Sequence, residues 1–154
     1  MITTGIEPPR QDELLELLRL GGEFAHSLYP AENSFLLDIS ELEEPGVYVF
    51  VSRDTDGAAL GMAALVMAPP EQAIAELKRL FVLESARGLG VARSLMAAVE
   101  AQARASGATR LLLETGPLHD AALALYLGLG YGRIPQFGQY IGAPDSVCMA
   151  KLLA

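Results

Sequence analysis

Residues 76–94 read ELKRLFVLESARGLGVARS, and the sequence on either side is organised around this stretch. Its first half combines apolar and charged side chains at a spacing that predicts a strand ending at Leu83. Gly88 and Gly90 follow where the strand gives way to a predicted helix. Glycine lets an anionic ligand approach main-chain N–H groups without a Cβ in the way, and a helix N-terminus favours negative charge. The stretch therefore predicts a main-chain anion site between a strand and a helix.

Two nucleotide-binding motifs are the first alternatives for such a loop. A dinucleotide fingerprint requires glycine where Arg93 stands. A Walker loop requires Gly-Lys-Ser/Thr, which occurs nowhere in the chain. Neither motif fits the residues of this loop.

The rest of the chain predicts an alternation of helices and strands. The predicted helices cover 9–29, 88–106 and 120–129, and the predicted strands cover 47–51, 58–67, 73–83, 110–115 and 147–152. Gly21 and Gly22 are expected to split the first helix in two. This order predicts a mixed sheet with helices on both faces, an α/β fold, or α+β by stricter usage. The length fits a single domain over residues 1–154.

Strict alternation assigns the side chains of the strand over 73–83 to two faces of the sheet. One face carries Glu76, Lys78, Leu80 and Val82, and the other carries Leu77, Arg79 and Phe81. Both faces are then charged at the start of the strand and apolar at its end.

The net charge of −8 is unevenly distributed. Residues 1–77 carry three basic and fourteen acidic side chains, whereas residues 78–154 carry eight basic and five acidic ones. An anionic ligand is thus favoured in the second half and a cationic ligand in the first, unless these are simply solvated surface charges. The net acidity argues against a general nucleic-acid binder, which needs a basic face.

Other sequence features concern location and metals. No apolar run approaches the roughly 20 residues that a membrane-spanning helix needs, and the N-terminus lacks the pattern of a signal peptide. A cytoplasmic location without membrane association is therefore expected. Cys148 is the single cysteine, and neither a cysteine cluster nor a histidine pair has zinc spacing, so no metal is expected.

RGLGVA at 87–92 fits the pattern Gln/Arg-x-x-Gly-x-Gly/Ala and resembles the GNAT superfamily of acyl-CoA N-acyltransferases. ELKRLFV at 76–82 looks like the fourth strand of that family, and LALYLGLGY at 123–131 is similar to its LYxxxGF/Y helix end. The segments 28–32 and 134–140 resemble a bacterial subgroup of N-acetyltransferases. The resemblance implies a mixed, largely antiparallel sheet flanked by helices, and an enzyme that uses acetyl-CoA (coenzyme A) as co-substrate.

The same resemblance places coenzyme A at the predicted anion site. It implies that backbone groups of three strand residues pair with the pantetheine arm, as an added strand would, and that loop amides hold the pyrophosphate. His119 stands where the family often has Asn before its last helix. The implied cofactor-binding residues are Leu80, Phe81, Val82, Arg87, Gly88, Leu89, Gly90, Val91, Ala92 and His119. Arg79 and Arg87 either support the phosphates with their side chains or are surface groups.

The resemblance implies catalytic roles for Tyr126 and Glu76. Tyr126 matches the family tyrosine that donates a hydrogen bond or proton to the departing thiolate, and Glu76 stands where the family's general base often lies. The structural alternatives are a core aromatic for Tyr126 and a substrate-orienting or surface carboxylate for Glu76. His26 and His119 are further candidates, although lone histidines are more often structural than catalytic. No cysteine lies near these residues, which favours direct attack by the amine over a covalent acyl-enzyme.

The predicted activity is acetyl transfer to a primary amine of a small molecule, with a peptide or protein amine as the less favoured acceptor. Glu32, Asn33 and Tyr140 are the candidate acceptor-binding residues, and the acidic first half favours a cationic amine. The family allows a homodimer, although no residue requires one. The alternatives are a non-catalytic acyl-CoA-binding or sensor domain, which would tolerate the loss of Glu76 and Tyr126, and a nucleotide-binding module.

Overall fold

The computed structural model describes residues 1–30 and 35–153. The strands are β1 (Thr3–Ile6), β2 (Val47–Arg53), β3 (Ala59–Met67), β4 (Ile74–Val82), β5 (Arg110–Thr115), β6 (Gly132–Ile134) and β7 (Val147–Leu152). The helices are α1 (Asp12–Leu28), α2 (Ile39–Leu42), α3 (Val91–Ala105) and α4 (Asp120–Gly128). Short 3₁₀ turns precede β4, α3 and β7.

The seven strands form one open sheet in the order β1-β2-β3-β4-β5-β7-β6. Every neighbouring pair is antiparallel except β4 and β5, which run parallel. The crossover between β4 and β5 contains α3, as a parallel pair requires. The predicted mixed, largely antiparallel sheet is confirmed.

Helices cover both faces of the sheet, which gives the protein two apolar cores. On one face, α3 and α4 pack on the sheet through residues such as Leu95, Val99 and Tyr126. On the other, Leu14 and Leu17 of α1 pack with Leu42 of α2 against the strands. Each core buries the apolar side of a helix whose other side is solvated, and this burial is the main contribution to stability.

Helix α1 differs from the prediction, because it continues through Gly21 and Gly22. The reason is the close approach of α1 to β4. A Cβ on Gly21 would lie 3.3 Å from Cγ of Phe81, so Phe81 or the helix would have to shift by a few tenths of an ångström to accommodate it. The glycine therefore provides space for packing and does not break the helix.

The faces of β4 also differ from the prediction, because the strand contains a β-bulge. Met62 pairs with Phe81 and Ala64 with Lys78, so Arg79 and Leu80 together stand opposite one residue of β3. Arg79 has a φ of 56°, in the left-handed region that non-glycine residues rarely adopt. Such a bulge reverses the alternation of side chains beyond it. The predicted faces are therefore wrong after the bulge: Leu80 packs against the α3 and α4 core, and Phe81 against the α1 core.

Gly61 lets β3 lie close to the end of β4, and we expect a Gly61→Ala variant to be destabilised. A Cβ there would lie 2.9 Å from the carbonyl oxygen of Phe81 and 3.0 Å from Cγ1 of Val91. Overpacking of this kind should lower the free energy of unfolding by about 1–3 kcal/mol, measured by urea denaturation.

Gly5 provides the matched control, because a Cβ on this β1 residue would meet nothing within 4 Å. The free energy of unfolding of Gly5→Ala should differ from that of the wild type by less than about 1 kcal/mol. Equal losses in the two variants would show that crowding at Gly61 is not the cause.

Candidate functional site

A cavity of about 720 Å³ opens where β4 and β5 separate. The two strands pair only from Ile74–Arg110 to Leu77–Leu113, and beyond these pairs they diverge. Residues from α1, the second half of β4, the loop before α3, the end of β5 and the start of α4 line the gap. The cavity therefore lies in the middle of the sheet and is walled by helices on both faces.

The second half of β4 forms one wall of this cavity. Leu80, Phe81 and Val82 all line it, and on their other side Phe81 and Val82 pair with Met62 and Gly61 of β3. Within residues 1–30 and 35–153, no strand pairs with this stretch on the cavity side. An extended ligand can therefore bond to main-chain groups here as a strand would.

The glycine loop lies between this wall and α3. Gly88 and Gly90 both have a φ of 82°, and Gly90 is the N-cap of α3. A Cβ on either glycine would meet no atom within 4 Å, so the left-handed backbone, and not lack of space, requires glycine. The predicted loop residues that line the cavity are Arg87, Gly88, Gly90, Val91 and Ala92. Leu89 is exposed and does not line it.

His119 lies at the N-terminus of α4, opposite the loop. Its ring is half-buried between Phe24 and Tyr29, with ring centroids 5.4 Å away in both cases. Nδ1 is buried and has no hydrogen-bond partner among the described residues. Burial lowers the pKa of His119, so the neutral imidazole predominates near neutral pH. The ring therefore lines the cavity as a neutral group that a ligand can contact.

Tyr126 projects from α4 into the same cavity. Its side chain is 5% exposed and contacts Tyr131, whose ring centroid lies 5.9 Å away. Burial raises the pKa of Tyr126, and the charge of Glu114 raises it further. The phenol therefore stays protonated and can act as a hydrogen-bond donor.

The fold brings together Glu76, the predicted general base, and Tyr140, a residue predicted to bind the acceptor amine. The Tyr140 hydroxyl donates to Oε2 of Glu76 at 2.5 Å. The Lys78 ammonium donates to the Tyr140 hydroxyl and, at 3.0 Å, to the carbonyl oxygen of Phe35. Lys78 lines the cavity, but Glu76 and Tyr140 do not. Glu32 and Asn33, the other predicted acceptor residues, lie outside the described residues.

Glu114, which the sequence motifs do not indicate, is a carboxylate that lines the cavity and whose charge acts on Tyr126. It lies near the end of β5, half-buried, and accepts a hydrogen bond from Oγ of Ser146 at 2.7 Å. Burial raises the pKa of Glu114, and the charge of Glu76 raises it further. The hydrogen bond from Ser146 and the charge of Lys78 act in the opposite direction and lower it. One signal in the sequence could have identified it: a single acid directly after Leu111, Leu112 and Leu113 in a buried strand.

The comparison with known proteins agrees with this geometry. The acetyltransferase (GNAT) family profile matches residues 12–131, which is most of the chain. The chain belongs to the GNAT acetyltransferase family. An IAA acetyltransferase of Azospirillum brasilense is 36% identical over 152 residues, covering 99% of this chain and 98% of that relative. The recognition of the family from the sequence, the fold class and the assignment as an acetyltransferase are thus confirmed.

Solved structures of the GNAT family share the whole architecture. A structure from Klebsiella pneumoniae, proposed to be an acyl-CoA N-acyltransferase, superposes with a TM-score of 0.84 at 30% identity and covers 100% of this chain and 99% of its own. The ribosomal-protein-S18-alanine N-acetyltransferase of Escherichia coli superposes with a TM-score of 0.71 at 20% identity, with 100% and 95% of the chains covered. The second likeness concerns the fold alone.

Other features of this GNAT protein bear on location and metals. In the described part of the chain, no helix is long and apolar enough to cross a membrane. Within the same residues, no group of three or more histidine, cysteine or acidic side chains is placed to hold a metal ion. Cys148 is buried in β7, away from the cavity lining, and burial raises the pKa of its thiol.

Proposed function

We propose that this protein transfers the acetyl group of acetyl-CoA to a primary amine of a small molecule by direct attack within a ternary complex. One observation carries the proposal. The side of β4 at Leu80–Val82 that lacks a strand partner faces a cavity bounded by a glycine loop and a helix N-terminus. An extended amide-containing arm fits the first feature and a diphosphate fits the second.

The arrangement of the lining residues suggests the orientation in which acetyl-CoA would bind. The diphosphate would lie at residues 87–92, where the left-handed glycines and the start of α3 favour an anion. The pantetheine arm would run back along β4 from Val82 towards Leu80, so that the thioester lies near the bulge. A main-chain N–H of β4 at the bulge end would polarise the thioester carbonyl. His119 would contact the arm from the α4 side.

The acceptor amine must lose its proton before or during attack. A lysine-type ammonium costs roughly 4.6 kcal/mol to deprotonate at pH 7, whereas an α-amine costs only about 1 kcal/mol. Glu76 stays a candidate base, but its carboxylate already accepts a hydrogen bond from Tyr140 and does not line the cavity. Glu114 lines the cavity and has a raised pKa, so the geometry favours Glu114 for this role.

The thiolate that leaves coenzyme A needs a hydrogen-bond donor. Tyr126 supplies one, because its phenol lines the cavity and stays protonated. No cysteine lines the cavity in the described part of the chain, which supports direct attack over an acyl-enzyme. The amine then enters from the side of Glu114 and Asp145, two acids that favour a cationic acceptor before it loses its proton.

Binding of coenzyme A provides the first test. At about 100 times its dissociation constant, coenzyme A should stabilise the fold by about 2.7 kcal/mol and raise the Tm by about 5–10 °C in a thermal-shift assay. ATP and NAD at the same concentration should leave the Tm within about 1 °C of its value without ligand. A shift with ATP or NAD and none with coenzyme A would identify a nucleotide-binding module instead.

Turnover provides the second part of the test. Free thiol should be released from acetyl-CoA when a panel of small primary amines is supplied. Binding of coenzyme A without thiol release for any amine, peptide or protein would leave a non-catalytic acyl-CoA-binding domain as the better description.

A further inference from the structure

The bulge in β4 turns two neighbouring cations towards the same side of the sheet. Without the bulge, Arg79 would share the face of Leu77 and point into the α3 and α4 core. With it, Arg79 donates from Nη2 to the carbonyl oxygen of Leu18 in α1 at 2.7 Å. Lys78 points to the same side and bonds Phe35. The left-handed backbone at Arg79 therefore places both cations at the α1 side of the cavity, which both line.

The two cations differ in how their charges are balanced. The Lys78 ammonium lies 3.7 Å from Oε2 of Glu76 and has two further oxygen partners. Arg79 is half-buried and has no carboxylate partner within residues 1–30 and 35–153. Its one protein partner in that part of the chain is the neutral carbonyl of Leu18. Burial lowers the pKa of Arg79, which reflects the cost of holding this charge away from water.

A partly buried guanidinium without a carboxylate is unfavourable unless a ligand supplies the missing anion. Arginine suits a carboxylate especially well, because its planar fork can donate two parallel hydrogen bonds. The cost of a left-handed arginine at this point is then explained by function, since strained residues concentrate at ligand sites.

We propose that Arg79 binds a carboxylate of the acceptor, and that the acceptor is therefore a small amine that also carries a carboxylate, as an amino acid does. The inference rests on the proposed acetyl transfer. Its geometry is the pairing of Arg79, at the bulge end of the cavity, with Glu114 and Asp145, two acids that line the same cavity. A zwitterion would match both ends, its ammonium towards the acids and its carboxylate towards the arginine.

The phosphates of coenzyme A are the other candidate anions for Arg79. They are the poorer match, because the bulge lies at the opposite end of Leu80–Val82 from the glycine loop. Arg87 lies at that loop, where its guanidinium stacks 5.6 Å from the ring centroid of Phe24. The arm that would lie between the loop and the bulge carries no charge. Of the two ligands, the acceptor is therefore the better placed to bring an anion to Arg79.

The test uses matched acceptors. The standard amino acids and β-alanine are each paired with their carboxamides, and kcat/KM is measured for each pair at saturating acetyl-CoA. Wild-type protein should prefer the acid by about 10–30-fold, as expected for a charged hydrogen-bonded pair that is partly exposed. In Arg79→Gln the KM for the acid should rise by about that factor. The KM for acetyl-CoA and the kcat/KM for the amide should stay within about twofold of wild type.

Arg19→Gln is the matched control, because Arg19 is an exposed arginine of α1 that pairs with Glu16 and Glu23. It should leave the preference for the acid unchanged. Arg79→Lys keeps the positive charge but loses the planar guanidinium that can donate two parallel hydrogen bonds. This variant should therefore retain part of the preference for the acid over its carboxamide. Turnover of the amide by each variant shows that the variant is folded.

Several results would overturn the assignment of Arg79. Equal use of acid and amide by wild type would do so, as would an unchanged preference in Arg79→Gln. If Arg79→Gln raised only the KM for acetyl-CoA, Arg79 would be a residue that binds the cofactor and not the acceptor. If the protein acetylates other amines of the panel but none of these, the substrate class is wrong while the proposed acetyl transfer stands. Failure to bind acetyl-CoA would instead contradict the proposed function itself.

Discussion

A Glu114→Gln variant should lose about 10²–10³-fold in kcat/KM for the amine, the usual contribution of a general base. Glutamine keeps the shape of the side chain and can still accept from Ser146, but it cannot take a proton. The wild-type rate should also fall as the pH drops through the pKa of Glu114, because only the carboxylate is active. Burial raises that pKa, so this loss begins at a higher pH than an ordinary glutamate would give. In Glu114→Gln the contribution of Glu114 to this acid limb should disappear, which leaves only the effect of protonation of the amine itself.

Two further glutamates make this result decisive. Glu71 is exposed in the turn before β4, and Glu71→Gln should keep the wild-type rate and pH profile. Glu76→Gln tests the base that the family resemblance implies. If Glu76→Gln removes the acid limb and Glu114→Gln does not, the base is Glu76 and its bond with Tyr140 is part of the mechanism.

Tyr126→Phe should lower kcat about 100-fold with little change in the KM for acetyl-CoA. The hydroxyl is proposed to bond a charge that develops only as the thiolate leaves, so its removal affects the transition state more than the bound substrate. Phenylalanine fills the same buried space in α4, so the fold should be retained. Steady-state kinetics with the best acceptor from the amine panel provide the measurement.

Tyr48→Phe is the control for loss of a tyrosine hydroxyl, because Tyr48 packs against the same core from β2 without lining the cavity. Its kcat should match that of wild type. Equal rates for Tyr126→Phe and wild type with every accepted amine would remove Tyr126 from the mechanism. A proportional rise in the KM for acetyl-CoA would instead indicate a binding role.

The sequence predicted most of the regular structure, because its signals are local. The strands at 110–115 and 147–152 have the predicted bounds, and the glycines at 88 and 90 stand where the backbone is left-handed. The short elements β1, α2 and β6 were not predicted, since three or four residues give too little periodicity. Their formation depends on neighbours that are distant in the sequence.

The composition of the cavity was harder to predict, because it depends on tertiary placement. The bulge at Arg79 follows from the register of β4 against β3, and an alternating pattern contains no sign of it. Glu114 reaches the cavity only because β5 separates from β4 just before it. Glu76 follows the family pattern, yet the fold directs its carboxylate to Tyr140. More of the residues predicted to bind the cofactor than of those predicted to bind the acceptor therefore line the cavity.

The separation of β4 from β5 gives the protein an edge strand in the interior of its sheet. An exposed edge usually invites the strand of another protein, and this is a common route to aggregation. Here α1 and α4 stand on either side of Leu80–Val82, so a second polypeptide strand with bulky side chains would meet both helices. A slender arm with few substituents, such as pantetheine, would fit between the two helices without meeting them. The width of the gap therefore selects for a narrow ligand, and the walls that would admit a coenzyme arm also protect the unpaired backbone from other chains.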